Sequence, residues 1–169
     1  MGYIHNWFIK KEILDVKKWN NVINDLEKLK MLLPKHSKSS GAYYALEPLI
    51  IKGVVLNENE IKFNGGNKIE NGGNKIEDLA HEDFHVSRIN KTIKNRNGFC
   101  KTNRKPYDLY VQVVLIILRH HFEDDFIFRS DGDFEEWSEA FNFVRKHIDL
   151  KYKDSYYLFL INILWSEYL

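Results

Sequence analysis

Residues 98–122 read GFCKTNRKPYDLYVQVVLIILRHHF, and the two halves of this stretch have opposite character. From Leu109 to Leu118 only Gln112 is strongly polar. A run this short cannot span a bilayer, which takes ~20 apolar residues, so it reads as a central helix buried around most of its circumference. The half ahead of it carries Lys101, Thr102, Arg104 and Lys105. Pro106 suits a first helical turn, where its missing N–H costs nothing, and Asp108 can accept from the amides beside it. Free amides, the positive end of a helix dipole and a cluster of cations on one spot describe an anion site. A solvated basic loop that merely precedes a helix is the alternative.

Working outward, Gly2 to Lys10 has strand periodicity, with Tyr3, His5, Trp7 and Ile9 on one face and Ile4 and Phe8 on the other. Large apolar groups on both faces place this strand centrally in its sheet. Asp15 caps a helix running to Leu33, ended by Pro34. Residues 35–47 read as loop. Leu49–Leu56 and Glu60–Phe63 flank the turn Asn57-Glu58-Asn59 as a hairpin. Asn64–Glu70 is then repeated letter for letter as Asn71–Glu77. No Gly-Lys-Ser/Thr follows its glycines, so a P-loop is disfavoured and a tolerated surface insertion is expected.

Beyond the central helix, Asp125–Arg129 is expected as a strand and Ser130–Asp133 as a helix-capping turn. A helix follows from Phe134 to Ile148, and an apolar last helix spans 153–169. That helix needs a partner surface, either the core or another subunit in a homo-oligomer. This order of elements predicts a single α+β domain, mainly antiparallel sheet with helices packed on one face.

Composition narrows the functional classes. A chain of 169 residues with a formal net charge of +1 has no general polyanion field, so nucleic-acid contact would have to come from a local patch. The single cysteine, Cys100, excludes an internal disulfide and a four-cysteine zinc site. The first residues lack a basic-then-apolar signal pattern, so a cytoplasmic location without membrane attachment is expected. His81-Glu82-Asp83-Phe84-His85 matches the His-Glu-x-x-His pattern of zinc metallopeptidases. That pattern needs a helix, whereas the alternation here is that of a half-exposed strand, on which the histidines stand ~13 Å apart. No metal and no cofactor are expected.

The candidate site residues are therefore His5 for any proton transfer, and Lys101, Thr102, Arg104, Lys105, Tyr107, Asp108, Tyr3, Trp7 and Asp131 for the ligand. Arg104 offers a bidentate fork to phosphate or carboxylate, while Lys101 and Lys105 act as point charges. Tyr3, His5 and Trp7 read equally as core; bordering the anion site, Tyr3 or Trp7 could stack on a base. The expected ligand is a small phosphorylated molecule such as a nucleotide. The alternative is an interaction protein whose basic loop touches nucleic acid.

Three blocks carry a resemblance. Met-Gly-Tyr-x-His-x-Trp at Met1–Trp7, Phe-Cys-Lys-Thr-x-Arg-Lys-Pro-Tyr-Asp at Phe99–Asp108, and Ser130-Asp131-Gly132 followed by Trp137 are similar to an uncharacterised family of small bacterial, phage and large-DNA-virus proteins. Asn64-Gly65 and His81–Phe84 fit the same pattern. The resemblance covers nearly the whole chain and brings no reaction with it. Its phage-like setting implies sequestration or hydrolysis of a nucleotide signal. It also weakens the zinc reading, because the pattern usually lacks a histidine matching His85. The chain departs from it in the duplicated loop, in Asn103, where a small residue is usual, and in the last helix.

Overall fold

The computed structural model describes residues 2–38, 41–70, 73 and 75–150; the helix expected over 153–169, with its oligomer surface, lies outside them. The described chain is α+β, as expected. Its elements are β1 (Ile4–Ile9), α1 (Val16–Leu32), the single turn α2 (Gly41–Tyr44), β2 (Ile51–Leu56), β3 (Glu60–Gly65), β4 (Asn67–Glu70), β5 (Lys75–Asp78), β6 (Phe84–Ser87), the turn α3 (Ile93–Arg96), β7 (Asn97–Lys101), α4 (Asp108–Phe122), β8 (Phe126–Ser130) and α5 (Phe134–His147). The strands divide between antiparallel sheets ordered β7-β1-β8 and β2-β3-β6, with β4-β5 as a separate hairpin.

Helix α4 is the axis of the core. Every side chain from Asp108 to Leu118 is buried, and α4 packs against α1, α5 and β8. A helix apolar all round must be enclosed on all sides, and here the neighbours come from both halves of the chain. Tyr110 donates to the Leu26 carbonyl of α1 at 3.3 Å. Its ring also lies 4.7 Å from Phe63 in the second sheet. Phe63 stacks on Phe84 and Phe84 meets Trp7, which joins the two sheets through aromatic rings.

Asp15 caps α1 by accepting from the Lys18 amide at 2.8 Å. At α5, Asp133 and Glu136 form a reciprocal capping box. The duplicated segment is regular: β4 comes from the first copy and most of β5 from the second, pairing Lys68 with Glu77 and Glu70 with Lys75. Besides β4 and β5, which fall in the segment expected as a loop, the sequence reading passed over strand β7. Its inward positions are Gly98 and Cys100 and its outward ones are polar or exposed, so it lacks an apolar alternation. Gly98 is required by close approach, since a Cβ there would overlap the Trp7 indole. Trp7 and Cys100 tie β7 into the core.

The His81–His85 segment is extended into β6, as expected, with Phe84 and Val86 buried and His85 exposed. His85 faces Glu60 across the sheet at 2.7 Å. Among the described residues no His/Cys/Asp/Glu group is arranged to hold a metal ion, and no helix is long and apolar enough to cross a membrane.

Candidate functional site

The turn from β7 into α4 lies against the start of β1. Thr102 and Asn103 both donate their amides to the Tyr3 carbonyl, at 3.0 and 3.4 Å. To make this turn the chain takes two successive left-handed steps, Asn103 and Arg104 each having φ 57°. Asparagine adopts that conformation more readily than other side-chain-bearing residues; arginine does so only where its surroundings hold it, at a cost of about 1–2 kcal/mol.

Beneath the turn is a buried polar network centred on Asp108. One carboxylate oxygen accepts from His5 Nε2 at 2.7 Å and from the Thr102 hydroxyl, and the other accepts from Gln112 Nε2 at 2.8 Å. Gln112 also reaches the Tyr3 hydroxyl at 3.4 Å. That hydroxyl is hydrogen-bonded to Ser130, whose oxygen accepts from Gly132 N and from Trp137 Nε1. His5 is wedged edge-on between the rings of Tyr3 and Trp137. Gly132 is required here as well, because a Cβ would overlap the Tyr3 hydroxyl. Burial raises the Tyr3 phenol far above its ordinary range, with Asp108 and Glu136 adding to the effect. It stays protonated at any working pH.

Arg104 is the group that this arrangement presents outward. Its guanidinium lies over the Tyr3 ring, 4.3 Å from the centroid, and its Nε donates to Glu136 Oε1 at 2.6 Å. The bond to Glu136 holds its pKa above the usual value. Glu136 is itself fixed, because its other oxygen accepts the Asp133 amide in the capping box. The face and the Nε of Arg104 are therefore positioned, while the side chain as a whole stays 42% exposed. Asp131, at the end of β8, turns its carboxylate onto the Ile4 amide at 3.1 Å.

Of the expected site residues, Tyr3, His5, Thr102, Arg104, Asp108 and Asp131 do meet around the start of β1, but several hold other positions than a ligand would need. The α4 amides expected to face an anion are bonded locally: Asp108 N to Lys105 O, Leu109 N to Pro106 O, and Tyr110 N to Tyr107 O. Asp108 caps no amide; its oxygens are taken by side-chain donors. Lys105 bends away to the Asp78 and Ala80 carbonyls. Lys101 lies along Gly2, on the other face of the sheet from Tyr3. Thr102 is fully buried on Asp108, and Tyr107 is buried with its hydroxyl donating to the Glu82 carbonyl at 2.8 Å. Trp7 packs on Phe84, outside the network, and Tyr3 and Trp7 are too enclosed to stack on a base. His5, expected as the group for any proton transfer, is wholly buried and bonded to Asp108.

Glu136, Ser130 and Gln112 were missed by sequence reasoning. Glu136 carried a signal in its capping-box spacing from Asp133, and Gln112 in being the one strongly polar residue of the apolar run. Cys100 is buried, and desolvation pushes its thiol up to about 12, so the neighbouring Lys101 does not activate it.

The Asn64-Gly65 and His81–Phe84 segments join the same end of the molecule. Asn64 bonds to His81 and Asp83, while Glu82 accepts the Lys101 amide at 2.8 Å. No known protein-family model matches this chain, and no curated protein or solved structure is significantly similar to it.

Proposed function

We propose that the chain binds a small phosphate-bearing ligand, such as a nucleotide, through the outward edge of Arg104. The observation that carries this reading is the preorganisation of one guanidinium. Tyr3 supports its face, Glu136 holds its Nε, and a strained left-handed backbone sets its position. An arginine fixed on those sides loses little further freedom when its remaining N–H pair meets a phosphate. The helix amides and Lys105 take no part, so the site rests on fewer groups than the sequence suggested. The Glu136 carboxylate beside the guanidinium is already bonded to Arg104 Nε and to the Asp133 amide, which lowers its repulsion of an anion.

Two measurements test the reading. Mass spectrometry of small molecules released by heating the purified protein identifies the ligand. Titration of that compound into Arg104→Ala should show a loss of roughly ten- to a hundredfold in affinity, the size of one charge-assisted bidentate contact. Equal affinity in variant and parent overturns the proposal.

A further inference from the structure

We infer that the cleft between β6 and β7 receives the C-terminal strand of a peptide, which pairs with both strand edges and leaves its terminal carboxylate at Lys94. Strands β6 and β7 are each the last strand of their own sheet, and they lie side by side. Neither Arg104 nor its partners Tyr3 and Glu136 line this cleft, so the inference goes beyond the ligand reading.

The direction of the main chain on both edges follows from the bonds at their ends. In an antiparallel pair one residue turns its N–H and C=O to the partner, and the next turns both away. Thr102 donates its amide to the Tyr3 carbonyl, so Cys100 and Gly98 face β1, while Lys101, Phe99 and Asn97 face outward. Lys101 agrees: its carbonyl accepts from the Glu82 amide, and its own amide donates to the Glu82 carboxylate at 2.8 Å. On β6, Arg88 donates its amide to the Asn59 carbonyl beside β3, so Val86 and Phe84 face β3, while His85 and Ser87 face outward. The two outward edges meet at Glu82 and Lys101 and then part around a cleft of about 350 Å³, with Trp7, Ile9 and Val86 among its lining residues. Asn97 N bonds to Lys94 O, and Ser87 O accepts from Asn90 Nδ2. Among the described residues, the amides and carbonyls of His85 and Phe99 make no main-chain bond across the cleft.

These edges select the occupant. An extended chain offers N–H and C=O groups at the strand repeat, and an apolar side chain on it suits the lining from Trp7 and Val86. The four residues of β6 rise ~13 Å, so the added strand is three or four residues long. At the Ser87 end, Ile89, Asn90, Lys94 and Asn95 wall the cleft, and a strand entering from the Glu82 end must stop there. It then runs antiparallel to β7 and parallel to β6. The side chains of Lys94 and Asn95 have no partner among the described residues, and an ammonium beside a carboxamide N–H suits the carboxylate of a chain end. The described strands of a second copy continue into further chain at both ends, so none of them brings that carboxylate.

The test exposes the full chain to a bead library of peptides with four random C-terminal residues and free carboxylates. Enriched peptides are then labelled at the N-terminus and titrated by fluorescence anisotropy. Amidating the peptide terminus and Lys94→Ala should each weaken binding by roughly ten- to a hundredfold, the loss of one charge-assisted contact. Phe99→Pro removes an amide that faces the cleft and is no part of the ladder to β1, a place where an edge strand accepts proline. It should weaken binding by about three- to tenfold, the size of one main-chain hydrogen bond, while Phe99→Ala keeps the amide and should bind as the parent does. Thermal melting checks that each variant is folded at the assay temperature. Arg104→Ala should leave peptide binding unaltered, so failure of the cleft is distinguishable from failure of the Arg104 site. No enriched peptide, equal binding of acid and amide, unchanged binding by Lys94→Ala, or Phe99→Pro binding as well as Phe99→Ala would each overturn the inference. So would loss of binding in Arg104→Ala, which would move the carboxylate to that arginine, or a concentration-dependent dimer dissolved by Phe99→Pro, which would give the cleft to a second copy.

Discussion

Replacing Asp108 by asparagine tests whether the buried network fastens β1 to α4. The change conserves volume, so no cavity term enters and the effect is one of hydrogen bonding. Three donors converge on the carboxylate: His5 Nε2, the Thr102 hydroxyl and Gln112 Nε2. A carboxamide keeps one acceptor and turns a donor towards the other side. The network has the means to answer, because His5 Nδ1 and Gln112 Oε1 are buried without a hydrogen-bond partner. Moving the imidazole proton to Nδ1 makes Nε2 an acceptor, and turning the Gln112 amide does the same on its side.

The cost is then the difference between charge-assisted and neutral bonds, about 1 kcal/mol each, or about 3 kcal/mol in total. Asp108→Ala allows no such answer and leaves all three donors unpaired, at about 1–3 kcal/mol each. That is a large part of the 5–15 kcal/mol available to a typical domain. Urea denaturation reads both. With a slope of about 2 kcal/mol per M, Asp108→Asn should lower the midpoint by about 1.5 M at unchanged slope, and Asp108→Ala by clearly more. A midpoint for Asp108→Asn within about 0.3 M of the parent refutes the assignment of Asp108 as the hub.

The remaining predictions address single groups. Arg104→Lys keeps the charge but not the planar fork or the stack on Tyr3, so it should bind the heat-released ligand nearly as weakly as Arg104→Ala; full retention would reduce the site to a point charge. Gly132→Ala should cost about 1–3 kcal/mol in thermal or urea unfolding, because its methyl group overlaps the Tyr3 hydroxyl and crowds Trp137. Burial raises the Cys100 thiol from an ordinary 9.0 to about 12 in the folded chain. A raised pKa stabilises fully below the unfolded value and is lost above it, so stability should fall as pH rises from about 9 to 12. Cys100→Ala should flatten that fall, leaving the part due to Tyr3, Tyr107 and Tyr110, which are raised by burial as well. Rapid modification of native Cys100 by a thiol reagent at pH 8 would contradict its burial.

The α4 axis was legible because ten successive nearly apolar residues leave few alternatives, and the cap at Asp15 and the alternation of β1 were legible for similarly local reasons. What surrounds α4 was not. Strand β7 hides because its inward positions are a glycine shaped by Trp7 and a small thiol, so its apolar half is supplied by the residues it touches rather than by its own side chains. The basic cluster misled for a related cause. Lysines, a threonine and a proline ahead of a helix have the same letters whether the amides face a ligand or close a turn. The choice was made by the carbonyls of Lys105, Pro106 and Tyr107, which no residue pattern advertises. Tyr3, His5 and Thr102 were correctly drawn together, yet their depth reverses their meaning. A polar side chain held by hydrogen bonds in the interior fixes geometry.

Arg104 escapes this argument by one chemical detail. A lysine that reached Glu136 would have its compact charge matched there, whereas a guanidinium bonded through Nε still carries both Nη groups on its far edge. The network below therefore acts on function indirectly. Asp108 and Gln112 hold Tyr3, Tyr3 and Glu136 hold Arg104, and the stability lost in Asp108→Asn should reappear as weaker ligand binding even when the variant is fully folded. Measuring that affinity well below the unfolding midpoint separates the two effects. An undiminished affinity would mean that Arg104 is positioned by its strained backbone alone.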